Sequence, residues 1–341
     1  MESKSHSSQS NKVLLILYGQ MRGGILAWRS LMKHVIHPHN ADIAYIGPPI
    51  VDHEAKKLLS KAKFLWIVPD YDDWGDALDL IQNNTWRYLC DEKHSNFLGF
   101  VKSCPRNSAG VLLAYRYFTA NNIVKHNLVN TYDWFIFTRT DYFYLCPPFH
   151  PMRIYSNSSI YIPSGEEYGG YTDRIALMPS NSVLKTLNVT VDIVTNPYEW
   201  ENFSHYNIES ALKHYYDKVN ISVIQYAHTG FTVRRVADPT SWSGGVHHQV
   251  MAKFNLTVKY PGELATAETE CRPLNVLDRE YMDYPSHFTS SHDIILATNR
   301  KLLARSNNYD TTNTTIFFMY VRICICVLLI LSLVYRKFTM Y

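Results

Sequence analysis

The sequence predicts an α/β protein with a mostly parallel central sheet flanked by helices, followed by a C-terminal transmembrane helix. Two observations lead to this prediction. Up to Val68, short apolar runs alternate with segments of helical spacing, which is the pattern of a parallel sheet with helical crossovers. Residues 315–335 are apolar except for Arg322 and Ser332, and such a stretch is long enough to cross a bilayer.

The composition excludes several classes of protein. The chain has 341 residues, enough for one large α/β domain or two small ones, and its 46% hydrophobic content indicates a globular protein. The net charge is +3 with both signs interspersed, so no nucleic-acid partner is expected. The six cysteines form no CxxC pair and do not indicate a zinc site. A disulfide is left open among the first four, which are Cys90, Cys104, Cys146 and Cys271.

The N-terminal part of the chain predicts a β-α-β-α-β unit. Residues 1–11 are polar and Ser-rich and predict a flexible arm. Strands are then predicted at 12–18, 41–46 and 64–68, and helices at 25–36 and 52–62. Pro38 is expected to end the first helix.

The rest of the chain continues with less regular spacing. A helix over 109–129 leads into an apolar strand that ends at Asp141. Further strands are predicted at 159–162, 175–178 and 221–225, and helices at 180–187 and 207–217. We therefore predict one α/β domain over 12–236, an irregular extension packed on it over 237–308, and an anchor over 315–335.

The chain is thus predicted to be a single-pass membrane protein, and the side of the membrane that the body occupies is left open. Arg336 and Lys337 after the anchor favour a cytoplasmic C-terminus, with the body in a lumen. Residues near the N-terminus lack the pattern of a secretory signal, which favours a tail anchor with the body in the cytosol. Seven N-x-[ST] sequons lean towards the lumen.

A first polar turn, Gly19-Gln20-Met21-Arg22, follows the first predicted strand. A glycine there lets a ligand approach the backbone, a glutamine offers a donor and an acceptor, and an arginine suits phosphate. The spacing is neither that of a dinucleotide-binding motif nor that of a P-loop, and an ordinary βα turn is the alternative.

A second polar turn, Arg139-Thr140-Asp141, ends the apolar strand. Ligands of open α/β sheets bind beyond the carboxyl ends of strands, so this turn is the first place to look for chemistry. Asp141 offers a carboxylate to a divalent cation or a sugar hydroxyl, and Arg139 offers a guanidinium to a diphosphate. The alternative is a strand end that simply turns into solvent.

A third polar segment, the loop 165–174, combines three carboxylates, two adjacent glycines and an arginine. Such a loop can bind several hydroxyls of a bulky polar ligand; the alternatives are a solvated acidic loop and a structural salt bridge. Further along, Glu209 begins a predicted helix after Asn207. It is a candidate general base for an acceptor hydroxyl, although the helix dipole favours a carboxylate there in any case.

In these motifs the chain resembles a diffuse group of nucleotide-sugar glycosyltransferases with a GT-A-like fold, found among bacterial polysaccharide, algal and large-virus proteins. The resemblance covers about residues 12–235 and keeps the motif order. The matching stretches are LLILYGQMRG, HNADIAYI, YDWFIFTRTDYFYL, IPSGEEYGGYTDRIALMPS and NIESALKHYYDKVNISV.

The resemblance implies hexosyl or pentosyl transfer from a nucleotide-sugar donor to a hydroxyl of a glycan or glycoconjugate acceptor. The implied catalytic residues are Glu209 and Asp173. The implied donor-binding residues are Gly19, Gln20, Arg22, Arg139, Asp141 and Arg174. The composition of the loop 165–174 adds Glu166, Glu167, Gly169 and Gly170 as predicted acceptor or sugar residues.

The metal and the activity itself both have alternatives. Residues 139–141 stand where such enzymes carry two acids, and here there is one acid, so Mn²⁺ or Mg²⁺ at Asp141 is left open. The rival to an enzyme is a non-catalytic carbohydrate-binding or scaffold protein on the same fold. A further rival is a membrane-tethered protein whose α/β body binds another protein.

Overall fold

The computed structural model describes residues 11–90, 110–150, 155–165, 167–201, 203, 207–237, 249–251 and 255–275. These residues all belong to one unit of the chain, Met1–Val276. Within them, no helix combines the length and the apolar character that crossing a bilayer requires. The predicted anchor at 315–335, most of the predicted arm at 1–11 and Glu166 lie outside the described residues, so the anchor and the arm stay predictions.

Seven strands form the central sheet in the order β3-β2-β1-β4-β7-β6-β8. They are β1 (Val13–Tyr18), β2 (Asp42–Gly47), β3 (Phe64–Ile67), β4 (Trp134–Arg139), β6 (Ser159–Pro163), β7 (Ile175–Pro179) and β8 (Ser222–Tyr226). Six of them run parallel, and β7 runs antiparallel to its neighbours β4 and β6. The predicted mixed α/β class with a mostly parallel sheet is confirmed.

Helices flank both faces of this sheet. The helices of the described residues are α1 (Gly24–Leu31), α2 (His37–His39), α3 (His53–Leu59), α4 (Trp74–Asp79), α5 (Gly110–Lys125), α6 (Ser180–Leu187), α7 (Val189–Thr195), α8 (Ile208–Lys218) and α9 (Pro261–Asn275). Short 3-10 turns lie at Asn84–Cys90, Leu128–Asn130 and Pro197–Trp200. A π-helical turn, Met32–Ile36, joins α1 to α2.

The apolar runs of β1 and β4 are continuous because both faces of the sheet are covered. In β1, Leu14 and Ile16 pack into the hydrophobic core that contains residues of α4 to α8. Leu15 and Leu17, on the opposite face, pack with residues of α1 and α3. This alternation along one buried strand places the core on both sides of the sheet.

The first helical segment extends beyond its predicted end at Pro38. Helical structure continues to His39 and ends at Asn40, whose φ of 46° is left-handed. Pro38 lies in the first turn of α2, a position at which a missing backbone N–H costs little. The prediction that Pro38 ends the helix is therefore wrong by about half a turn.

A second, four-stranded sheet has the order β10-β11-β9-β5 and is antiparallel. Its strands are β5 (Tyr142–Tyr144), β9 (Gly230–Arg235), β10 (Gln249–Met251) and β11 (Leu256–Val258). The sequence predicted an irregular extension over 237–308, but two strands and α9 lie in the described part of that range. Three-residue strands show no readable period, and α9 buries mostly small side chains at helical spacing, Ala267 and Cys271 after Leu264.

One disulfide joins Cys146, which follows β5, to Cys271 in α9. The two Cα atoms are 5.6 Å apart, and 125 residues separate the cysteines in the sequence. Both cysteines are buried. The bridge connects α9 to the second sheet. The sequence left open whether a disulfide forms among the first four cysteines, and the structure shows one between these two.

Candidate active site

The strand order places the candidate site at one edge of the central sheet. From β1 the sheet extends through β2 and β3 on one side and begins with β4 on the other. In open α/β sheets, ligands bind outside the carboxyl ends of strands at such a switch point. The turns after β1 and β4 both lie there. Thr140 donates its hydroxyl hydrogen to the Gln20 carbonyl, and Arg22 N donates to Thr140 Oγ1 over 3.3 Å.

The turn after β1 leaves room for a ligand. Gly19 has a φ of 96°, and a Cβ added there would meet nothing within 4 Å. Gln20 is exposed, and its Oε1 accepts hydrogen bonds from Nε and Nη2 of Arg22 at 3.2 and 2.6 Å. This turn therefore presents an open backbone position beside a guanidinium.

The antiparallel direction of β7 brings a third segment to the same edge. Because β7 runs opposite to β4, the residues before β7 meet the residues at the end of β4, and Arg139 N donates to the Arg174 carbonyl over 3.2 Å. Arg139 also donates to both carboxylate oxygens of Asp141, each at 2.8 Å. Arg139 Nη1 lies 3.6 Å from Asp173 Oδ2.

Arg174 is the centre of a buried charge cluster. Its Nη1 lies 2.9 Å from Asp173 Oδ1 and 3.4 Å from Glu209 Oε1. Its Nε donates to Glu263 Oε1 over 2.8 Å, and Glu263 Oε2 accepts from Thr232 N at the same distance. All four charged residues are buried. Three carboxylates thus share the Arg174 guanidinium, and one of them, Asp173, also faces Arg139.

The carboxyl groups of the site differ in pKa. Burial alone would raise the pKa of Asp141, but the Arg139 guanidinium outweighs burial and the pKa lies below its ordinary value. Asp173 behaves alike, because Arg174 and Arg139 oppose its burial and lower its pKa. For Glu209, burial and the charge of Asp173 raise the pKa to about 7, and Arg174 opposes them only in part. Glu209 is therefore the group best suited to exchange a proton near neutral pH.

The loop 165–174 positions Glu209 next to Asp173. A Cβ added to Gly170 would lie 1.8 Å from the Glu209 carbonyl oxygen, so the two backbones are in direct contact. Tyr171 N donates to the same carbonyl over 2.9 Å. These contacts require glycine at 170 and fix the first turn of α8 against the residues that precede β7.

Among the other residues predicted in this loop, Glu167 closes the loop itself. Its Oε1 accepts from Gly165 N at 2.8 Å and from Gln225 Nε2 at 2.9 Å. Gly169, with a φ of 86°, borders open space. The predicted sugar-binding roles of Glu167, Gly169 and Gly170 stay predictions.

Glu263, which completes the charge cluster, was not predicted from the sequence. The helix that carries it, α9, lies in the range predicted to be irregular. An acid in the first turn of a helix is also favoured by the helix dipole, so the residue type alone does not indicate a site. A helix start was nevertheless indicated by one pattern: a proline and an acid in the first turn, at Pro261 and Glu263, followed by the apolar Leu264.

The described residues do not form a metal site by themselves. In that part of the chain, no three or more His, Cys, Asp or Glu side chains are grouped so as to hold a metal ion. Asp141, the predicted ligand, already accepts from Arg139 with both oxygens. A divalent cation at Asp141 would need most of its oxygen ligands from a bound substrate and water.

Comparisons with known proteins add little to this site. No family model matches the chain, and no curated protein sequence matches it. Among solved structures, the chain is similar to a provisionally assigned nucleotide-diphospho-sugar transferase from Desulfovibrio desulfuricans, with 10% sequence identity and a TM-score of 0.32. The match covers 64% of this chain and 80% of the other. Similarity at that level supports no conclusion about the activity of this chain.

Proposed function

We propose that this protein is a nucleotide-sugar glycosyltransferase with a GT-A-like fold, which moves a sugar from its donor to a hydroxyl of a glycan or glycoconjugate. One observation carries the proposal. The polar turns after β1 and β4 meet at the switch point of the sheet, and the buried cluster around Arg174 lies beside them. The resemblance of five sequence stretches to such enzymes supports the same conclusion.

In this proposal the donor diphosphate lies against the turns after β1 and β4. Gly19 leaves room for a close approach, and Arg22 and Arg139 supply the positive charge. Arg139 is held in place by its pair of hydrogen bonds to Asp141, so it needs little reorganisation when charge develops on the leaving diphosphate. The bond from the anomeric carbon to the diphosphate oxygen breaks, and its electron pair leaves with the diphosphate.

The acceptor hydroxyl forms the new bond to the anomeric carbon, and its proton goes to Glu209. A pKa of about 7 lets Glu209 be unprotonated in a useful fraction of molecules near neutral pH and still bind the proton. Asp173 is a weaker base, because the arginines that pair with it lower its pKa. Asp173 is better suited to orient a sugar hydroxyl, and its Oδ2 has no hydrogen-bond partner among the described residues.

Asp141 is the one residue that we propose as a ligand for a divalent cation. Mn²⁺ or Mg²⁺ there would supply positive charge beside the diphosphate, with oxygen ligands from the substrate. Because Arg139 already occupies both oxygens of Asp141, the arginine is able to take over part of that role.

The proposed location is a membrane, with residues 315–335 as the anchor and the body on the lumenal side. The disulfide between Cys146 and Cys271 supports the lumenal side, because such bridges persist in oxidising compartments. The sequon asparagines that the structure describes are exposed; they are Asn83, Asn157, Asn188, Asn220 and Asn255. Endoglycosidase treatment of the protein expressed in eukaryotic cells tests this: a downward mobility shift is expected, and no shift would contradict the lumenal side.

The activity is tested in two steps with the full-length protein. Thermal unfolding with UDP or GDP, with and without Mn²⁺, measures diphosphate binding, and a screen of radiolabelled nucleotide sugars measures donor hydrolysis or transfer. We expect one diphosphate to raise the unfolding temperature. Arg22→Ala is expected to weaken that diphosphate about tenfold or more, since a hydrogen bond from a charged group is lost.

Arg29→Ala, which removes an exposed guanidinium from α1, is the matched control and is expected to bind as the wild type does. Failure to turn over any donor, by a folded protein, would contradict the enzyme. Glycan binding that survives Asp141→Ala and Glu209→Ala in such a protein would instead support the non-catalytic carbohydrate-binding alternative.

A further inference from the structure

Tyr168 is an exposed aromatic residue in the loop between β6 and β7. The exposed fraction of Tyr168 is 50%. Its φ is 45°, a left-handed conformation that is unusual for a bulky side chain. A glutamate precedes Tyr168, and two glycines, either of which would adopt that conformation more easily, follow it. The loop thus places a large ring at a position where the backbone disfavours it.

The surrounding contacts hold this conformation. The Tyr168 carbonyl accepts from Asn207 Nδ2 at 2.9 Å, and Asn207 Oδ1 in turn accepts from Ser210 N at 2.7 Å as the N-cap of α8. On the other side of Tyr168, Gly170 N donates to the Glu167 carbonyl over 2.7 Å. Strained backbone that its neighbours maintain in this way is concentrated at ligand-binding sites.

The ring of Tyr168 connects the surface to the charge cluster. Its centroid lies 6.4 Å from the centroid of the Tyr260 ring, and the two planes are tilted by 56°. The Arg174 guanidinium lies 5.0 Å from the Tyr260 centroid, and Lys259 Nζ lies 4.7 Å from it. Two side chains, Tyr260 and Arg174, therefore connect Tyr168 to Asp173 and Glu209, which both contact Arg174.

The position in the sheet separates this ring from the proposed diphosphate site. Tyr168 follows β6, and Gly19 follows β1, which lies three strands away in the order β1-β4-β7-β6. Neighbouring strands are about 4.8 Å apart, so the two turns are separated by roughly 14 Å along the edge. This spacing leaves room for the donor sugar between the diphosphate and Tyr168. In the proposed transferase, the acceptor would therefore lie on the β6 side of the edge.

We propose that Tyr168, with Tyr260 beside it, is a stacking platform for a sugar ring of the acceptor glycan. The assignment rests on the proposed transferase function and identifies the acceptor as a carbohydrate. A sugar ring has an apolar C–H face that packs on an aromatic ring, and hydroxyls around its rim that donate to carboxylates. The platform offers the exposed ring of Tyr168, and the buried carboxylates of Asp173 and Glu209 lie beyond Tyr260 and Arg174.

The test uses the full-length protein on a printed array of defined hexose- and pentose-containing oligosaccharides, followed by calorimetry with the strongest binder. Tyr168→Asn removes the ring and is expected to lower glycan affinity about tenfold, whereas Tyr168→Phe keeps the ring and is expected to bind within about threefold of the wild type. Asparagine adopts left-handed backbone readily, so Tyr168→Asn is expected to unfold at or above the wild-type temperature. A loss of binding would then not reflect misfolding.

Tyr198→Asn is the matched control, because Tyr198 is even more exposed, at 75%, and lies on the turn Pro197–Trp200 away from the loop. It is expected to bind glycans as the wild type does. The proposal is overturned if the wild type binds no glycan, if Tyr168→Asn binds undiminished, or if the variant loses UDP or GDP and keeps glycans. The protein could also bind glycans through Tyr168 and turn over no donor. That outcome would contradict the transferase function and support Tyr168 as a glycan-binding residue.

Discussion

At the residue scale, the chemistry of the site depends on how three carboxylates share Arg174. Asp173 lies 2.9 Å from Arg174 Nη1 and also faces Arg139, and these two guanidinium groups outweigh burial and lower its pKa. Glu209 is farther from Arg174, and burial together with the negative charge of Asp173 raises its pKa. Two carboxyl groups whose neighbours push their pKa values apart are suited to different roles, one as a fixed anion and the other as a proton carrier.

The Glu209 carboxyl is predicted to control the pH dependence of turnover. In the proposed mechanism Glu209 is a base and must lose its proton, so wild-type turnover should rise as the pH increases through about 7. Glu209→Gln should lower turnover about 10²- to 10⁴-fold and abolish that rise. Steady-state rates measured between pH 5 and 9 test both effects, because this range brackets the pKa of Glu209. Glu199→Gln, outside the cluster, should leave the profile unchanged; a variant at 209 that keeps the wild-type profile would exclude Glu209 as the base.

The same group is predicted to affect stability with the opposite slope. The folded state holds the Glu209 proton more tightly than the unfolded chain does, because the pKa rises from an ordinary 4.5 to about 7 on folding. Its contribution to stability is therefore fully present below pH 4.5 and is lost as the pH rises to 7. Glu209→Gln should flatten the fall of the unfolding temperature across that window, as measured by calorimetry. An unchanged slope would mean that Glu209 does not keep its proton on folding.

Adjacent glycines in the loop 165–174 are predicted to respond differently to the same substitution. Gly170→Ala forces a Cβ to within 1.8 Å of the Glu209 carbonyl oxygen and should lower the free energy of unfolding by about 3 kcal/mol or more. Gly169→Ala meets no neighbour within 4 Å and should cost about 1–2 kcal/mol, from its left-handed backbone alone. Denaturant titrations of the pair measure the difference. Equal losses would show that the contact with α8 is dispensable.

At the element scale, the site is assembled from the ends of several elements. The turns after β1 and β4 supply Gln20, Arg22 and Asp141, the segment before β7 supplies Asp173 and Arg174, and α8 and α9 supply one glutamate each. The reversal of β7 is essential. Were β7 parallel to β4, its preceding residues would lie at the opposite edge of the sheet.

The α9 helix is predicted to contribute to the site through Glu263. Glu263→Ala leaves the buried Arg174 Nε and Thr232 N without their acceptor and should lower the free energy of unfolding by about 3–5 kcal/mol. Glu270→Ala, at an exposed position of the same helix, should change it by less than about 0.5 kcal/mol. Chemical unfolding followed by circular dichroism compares the two. A small loss for Glu263→Ala would mean that Arg174 is held adequately by Asp173 and Glu209.

At the scale of the whole molecule, a covalent bridge connects elements that are distant in sequence. The disulfide between Cys146 and Cys271 closes a loop of 125 residues, which includes β6 to β11 and α6 to α8. It also fixes the helix that carries Glu263. The integrity of the charge cluster is therefore linked to a bond that forms in an oxidising compartment.

Removal of this bridge is predicted to destabilise the protein. A variant with Cys146→Ser and Cys271→Ser should lose about 2–5 kcal/mol of unfolding free energy, because its unfolded chain is no longer constrained. Wild-type protein unfolded in the presence of dithiothreitol should lose a similar amount, and the double variant should be insensitive to the reductant. If dithiothreitol leaves the wild-type unfolding curve unchanged while both thiols react with a labelling reagent, the bridge does not stabilise the fold.

Local sequence was sufficient for the strands of the central sheet and for the polar turns that follow them. The runs at Val13–Tyr18 and Trp134–Arg139 are apolar because both faces are buried, and burial of that kind is readable from neighbouring residues. The short strands of the second sheet were not readable, because three residues give no period. Local sequence likewise marked Asp141, Asp173 and Glu209 as polar residues at element ends, where a ligand would be recognised.

The periodicity of the sequence does not encode the contacts that decide which of those polar residues lie together in the folded chain. Arg174 pairs with Glu209 across 35 positions and with Glu263 across 89, and such pairings follow from strand order and direction. The pKa of Glu209 depends on the balance of burial, Asp173 and Arg174, all of which act through space. Hydrophobic periodicity reports on a residue's own element, whereas charge pairing and the disulfide report on how elements pack. For that reason Glu263, the Cys146–Cys271 pairing and the place of Tyr168 beside Tyr260 became apparent only in the folded chain.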